Sequence, residues 1–104
     1  MTTKEYDGAT IELDAEGYLT SLEQWTPELA NELAAEVGLT LTDRHWLAIN
    51  YVQADYREMK ASPGLRRISA NSGVPMKELY QLFPKGPGKL VAKIAGCPKP
   101  KSCL

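Results

Sequence analysis

Two thiols stand in the last eight residues, Cys97-Pro98-Lys99-Pro100-Lys101-Ser102-Cys103-Leu104, and they are the only cysteines among 104 residues. A cysteine one place from the chain end has no core to fill, and an exposed thiol invites oxidation, so Cys103 is better explained by reaction than by packing. Lys99 and Lys101 favour its thiolate, whereas the terminal carboxylate on Leu104 opposes it, and water screens both over roughly 8 Å. Strong activation must then come from a partner's pocket, which points to a protein substrate or carrier rather than a self-sufficient enzyme. Cys97 is open to two readings. It is either an apolar plug over the end of the last helix or a resolving thiol for Cys103. In a polyproline-like arm the two Cα atoms stand about 18 Å apart, beyond the roughly 7 Å limit of a disulfide. The arm would have to bend, and so small a loop stabilises by only about 2 to 2.5 kcal/mol, a labile switch rather than a staple.

Other candidate chemistry is sparse. One histidine and two cysteines cannot build a Cys/His zinc site without recruiting carboxylates, so no metal is expected, and no cofactor. His45, in the first turn of a helix, reads as a surface or capping group, Trp46 as core and Asp43 as an N-terminal helix charge. The segment from Ile68 to Phe83 reads as helix, Ser72-Gly73-Val74 turn and helix, similar to the helix-turn-helix of bacterial repressors. Arg66, Arg67 and Lys77 would then meet phosphates, as would Lys85, while Lys77 and Gln81 would reach base edges. The alternative is a helical corner used only for packing, since nothing else in the chain reads as a dimerisation helix.

The elements that must position these groups can be read from periodicity and punctuation. Ile11 and Leu13, then Asp14-Ala15-Glu16-Gly17, then Tyr18, Leu19 and Leu22, predict a β-hairpin turning at Gly17. Thr26-Pro27-Glu28 followed by Leu29, Leu33 and Val37 predicts a helix from Pro27 to Val37 stopped by Gly38. Trp46, Ile49, Val52, Tyr56 and Met59 predict the longest helix, opened by Thr42-Asp43 and broken by Ser62-Pro63-Gly64. Shorter helices follow over Leu65 to Asn71, Pro75 to Phe83 and Pro87 to Ala95. The fold class is mainly α, a small orthogonal bundle with an N-terminal hairpin. Residues 1–96 form one domain and 97–104 a mobile arm, extended because two prolines remove donors and disfavour helix.

The net charge of −1 conceals a split: Met1 to Met59 carries about −9 and Lys60 to Leu104 about +8. Such polarity serves either two partners or the attraction of one half for the other. No apolar run is long enough to cross a bilayer and the first residues lack a signal-peptide pattern, so a cytoplasmic protein without membrane insertion is expected.

Phe83-Pro84-Lys85-Gly86-Pro87-Gly88-Lys89, Lys93-Ile94-Ala95-Gly96, Pro98-Lys99-Pro100 and the penultimate Cys103 resemble the C-terminal signature of the DsrC/TusE family of sulfur-relay proteins. Further matches are Asp7-Gly8, Asp14 to Leu19, Trp25, Leu41-Thr42 and His45-Trp46, so the resemblance spans essentially the whole chain. It implies a helical fold with an N-terminal hairpin and an arm whose penultimate cysteine, here Cys103, accepts sulfane sulfur as a persulfide. Members of the dissimilatory branch carry another cysteine eleven positions earlier, where this chain has Ala92, so the chain resembles tRNA-thiolation or regulatory members as much as dissimilatory ones. The implied partners are a sulfurtransferase donor of the TusBCD or DsrEFH type and an acceptor such as sulfite reductase or a tRNA-thiolation enzyme, with the chain itself a monomer. Lys85, Lys89, Lys93, Lys99 and Lys101 form a basic surface around the arm, which would dock acidic rims in a carrier and phosphates in a helix-turn-helix regulator.

Overall fold

A computed structural model describes residues 2–101. The chain starts with strands β1 (Thr2–Tyr6) and β2 (Ala9–Leu13), continues through a 3₁₀ turn at Leu22–Gln24, and then forms five helices. These are α1 (Pro27–Glu36), α2 (Asp43–Met59), α3 (Leu65–Asn71), α4 (Met76–Leu82) and α5 (Pro87–Ile94). Each helix matches its expected position to within a residue at either end, because apolar spacing and proline or glycine punctuation agree at every boundary.

The hairpin is placed differently from the expectation. β1 and β2 pair antiparallel from Thr2 opposite Leu13 to Tyr6 opposite Ala9, so the turn is Asp7-Gly8. Both turn residues have positive φ, 49° and 84°, which is the two-residue turn whose twist suits a hairpin. The exposed strand β1 lacks an apolar alternation to announce it, and Asp-Gly was the stronger signal. The loop at Gly17 exists but is held by a side chain: Asp14 accepts from the amides of Glu16 at 2.8 Å and Tyr18 at 3.0 Å. It returns the chain only for a single bridge between Leu13 and Leu19. The Gln24 amide completes the second side of β2, accepting from the Glu12 N–H at 2.7 Å and donating to the Glu12 carbonyl at 3.0 Å.

The core gathers Ile49 and Val52 of α2, Leu65 and Ile68 of α3, Val74, Leu79 and Phe83 around α4, and Val91 and Ile94 of α5, all at most 1% exposed. Ala30 and Ala34 let α1 approach, and the hairpin adds Tyr6, Ile11 and Leu13. α5 contacts every other helix. Its departure point is equally confined. Gly96 has φ +77°, and a Cβ there would lie 2.7 Å from Trp25 Cδ1 and 2.9 Å from Trp25 Cβ. Gly38 has the same φ with nothing within 4 Å of an added Cβ. Gly38→Ala should therefore cost only the left-handed backbone penalty of about 1 to 2 kcal/mol. Gly96→Ala adds overpacking against an indole and should cost about 2 to 5 kcal/mol in denaturant unfolding. Equal losses for the two variants would refute this packing account.

Candidate functional site: the end of the last helix and its basic surround

A helix leaves its last carbonyls without intrahelical partners. In α5 every one of them is met. The Cys97 N–H donates to the Ala92 carbonyl at 3.0 Å and the Gly96 N–H to Lys93 at 3.2 Å, the paired bonds of a Schellman ending. Trp25 Nε1–H donates to the Ile94 carbonyl at 2.8 Å, and the buried Gln53 side chain donates to Ala95 at 2.8 Å. α1 closes in the same way, with Gly38 donating to Ala35 and Leu39 to Ala34. Such endings favour an apolar residue just past the glycine, and Leu39 fills that place in one helix as Cys97 does in the other.

This comparison explains Cys97. It is fully buried, and burial pushes its thiol from the ordinary 9.0 up to about 12, with the Arg57 charge pulling weakly the other way. A thiol so held is a small apolar plug and a poor nucleophile. Of the two readings open in the sequence, the structure favours the plug over the resolving thiol. Cys103 lies outside the described residues.

The stretch expected to be a free arm from Cys97 onward is packed as far as Pro100. The Ser62 hydroxyl donates to the Pro98 carbonyl at 2.5 Å, Lys99 pairs with Glu16 at 3.0 Å, and Pro100 is buried. Extended, donor-poor backbone is what lets it lie along the body without a sheet partner.

The five lysines divide. Lys85, Lys89 and Lys93 come together with Tyr18 and Leu90 around a notch of about 220 Å³, where Lys93 Nζ lies 5.1 Å from the centre of the Tyr18 ring. Lys99 spends its charge on Glu16, and Lys101 is exposed.

The helix-turn-helix corner is built from α3 and α4 but its charges are not all available. Arg67, expected on phosphate, is committed to the buried Asp55 carboxylate at 2.8 Å. Arg66, Lys77 and Gln81 are exposed. Glu78 is gripped by Arg44 through two bonds, which holds its carboxyl below the usual range. His45, expected at the surface or as a cap, is a buried cap. Its Nδ1 accepts from the Thr42 N–H at 3.0 Å, so Nε2 carries the proton and donates to the Leu82 carbonyl at 2.9 Å, tying α2 to α4. Its ring stands edge-on to Phe83 at 5.0 Å. Sequence reading missed Gln53 and this second bond of His45, because polar residues on an apolar helix face give no hint of which distant carbonyl they meet. Among the described residues no cluster of His, Cys, Asp and Glu could hold a metal.

The model of the family described as "DsrC like protein" matches residues 5–104. The chain belongs to this DsrC-like family. It is 41% identical to "Sulfurtransferase TusE" of Sodalis glossinidius, covering 96% of this chain and 99% of that one. The solution structure of Allochromatium vinosum DsrC superposes with a TM-score of 0.84 at 37% identity, over 98% of this chain and 97% of that one. The oxidised γ-subunit of dissimilatory sulfite reductase (DsrC) from Archaeoglobus fulgidus gives 0.85 at 30% identity, over 99% and 100%. No helix of the described residues is long and apolar enough to cross a membrane.

In this DsrC-like chain Ala92 is 1% exposed. Its carbonyl takes the Cys97 N–H. Cys97 thus sits on the chain segment that seals the helix. A thiol whose folded pKa is raised stays neutral while the unfolded chain ionises. Its contribution to stability is therefore intact below the ordinary 9.0 and is lost as pH climbs toward about 12. Cys97→Ala should flatten the alkaline limb of unfolding free energy by up to about 1.4 kcal/mol per pH unit above pH 9. Native Cys97 should also resist alkylation that denaturation permits, as read by intact mass. Rapid labelling of the folded protein at Cys97 would contradict the plug.

Proposed function

We propose that the chain is a cytoplasmic sulfur carrier that accepts sulfane sulfur on Cys103 and passes it to an acceptor protein. The supporting observation is full-length similarity to proteins named sulfurtransferase TusE, joined to a penultimate cysteine. With Cys97 buried and its thiol pushed up, Cys103 is the thiol left to react.

The transfer is balanced without an external oxidant. The Cys103 thiol gives its proton to solvent, and the thiolate attacks the terminal sulfur of a donor persulfide. The donor's S–S bond breaks as the new one forms, the donor leaves as a thiolate, and Cys103 carries the persulfide. Attack by an acceptor thiolate repeats the exchange and returns Cys103 to its starting state. The chain is a co-substrate in this relay, acting as a monomer. Its donor is a persulfide-bearing sulfurtransferase of the TusBCD or DsrEFH type, and its acceptor a sulfite reductase or a tRNA-thiolation enzyme.

Lys85, Lys89 and Lys93 supply the docking charge, and Lys101 stands two positions before Cys103 in the sequence. Steering by such charges speeds encounter and weakens with salt, which suits a carrier that must leave each partner quickly. The duplex-binding reading is the poorer fit because Arg67 is already spent on Asp55.

Incubation with a persulfidated donor should add about 32 Da to the intact mass, one sulfur, to wild type and to Cys97→Ala but not to Cys103→Ser. Addition that follows Cys97 instead of Cys103 would defeat the proposal.

A further inference from the structure

The described surface sorts its hollows by charge. Two hollows beside the hairpin and α1 include Asp7 and Glu32 in their walls. Three others surround the start of α5, and no described carboxylate lines any of them. One of the three is different in kind: a groove of about 330 Å³ walled by Val37, Leu39, Pro84 and Leu90, with Lys85 the only charge. Val37, 49% exposed, is among the most exposed large apolar side chains of the described chain. Lys85 and Leu90 also line the adjoining lysine notch, so groove and notch share a wall.

An apolar recess beside a cationic notch, with a lysine in the wall between them, has the anatomy of a protein docking site, with a desolvated anchor and a charged rim that orients it. Nucleic acid fits the notch and leaves the groove unused, because a phosphate backbone offers nothing to an aliphatic recess. We infer that this groove seats an apolar side chain on an acidic segment of the protein that donates sulfur, while the neighbouring carboxylates of that segment meet Lys85 and Lys89. This rests on the carrier reading above and adds to it the surface that recognises the donor. The backbone around the groove is fixed for the purpose: the ending of α1 sets Val37 and Leu39, and Pro84 precedes the left-handed turn at Lys85 and Gly86, φ 66° and 95°.

The test compares two sulfur sources. One is a persulfidated donor complex of the TusBCD or DsrEFH type, and the other is inorganic polysulfide, which needs no docking. The ratio of their rates of loading Cys103 reports recognition separately from thiol chemistry. Val37→Gln should lower that ratio about fivefold or more, Val37→Leu should restore it, and Lys85→Glu with Lys89→Glu should lower it about tenfold and flatten its salt dependence. An unchanged ratio in Val37→Gln overturns the groove, whether or not the lysine variant is impaired. A faster polysulfide reaction in Val37→Gln would mean that the chain's own terminus occupies the groove, and overturns the proposal too. Wild type loaded by neither source defeats the carrier reading itself. Wild type loaded by polysulfide, but by the donor only at the rate of the lysine variant, defeats docking alone.

Discussion

The closure of α5 is the constraint on which the other features hang. Its final carbonyls are met by Trp25 from the segment before α1, by Gln53 from α2, and by the amides of Gly96 and Cys97. A buried carbonyl left unpaired would cost about 1 to 3 kcal/mol, so these donors bind two distant parts of the chain, and the residues just past the helix, to one helix end. Trp25 also packs edge-on to Trp46 at 6.3 Å, carrying the constraint into α2. Moving Gly96 even slightly would disturb all of these at once.

That closure also decides what each thiol is for. The residue beyond a Schellman glycine is drawn inward by its own N–H bond, which turns Cys97 into core whatever its chemistry. In the proposed carrier, reaction is left to Cys103, seven residues beyond the helix-ending Gly96. The lysines show a parallel division: those on and before α5 converge on a notch, whereas Lys99 is consumed in holding the tail to Glu16.

Helix positions were legible because several signals coincide at each end, as with Thr26-Pro27 and Gly38 around α1. The hairpin lies one turn earlier than expected, since β1 is exposed from Thr2 to Glu5 and carries charged Lys4 and Glu5 on its opposite faces instead of an apolar alternation, and local chemistry at Asp7-Gly8 decides the register. The site was legible in part. The lysine cluster and the special status of Cys103 follow from spacing and from position in the chain. The commitment of Arg67 to Asp55 and the inward role of His45 depend on partners 12 and 37 residues away. Pattern within a helix does not encode those distances.

In the proposed carrier, the attachment of Pro98, Lys99 and Pro100 to the body would set the radius within which sulfur is exchanged. An arm free from Cys97 would sweep about 25 Å, deep enough to enter another protein's cleft, whereas three residues of chain beyond a fixed point span at most about 11 Å. With the tail so held, a donor in that relay would have to bring its persulfide to the rim of this protein. An acceptor with a recessed site must first compete for the Ser62 and Glu16 contacts. Loading and delivery would then differ in reach, so that the length of tether, more than the reactivity of the thiol, separates the partner that gives from the partner that takes.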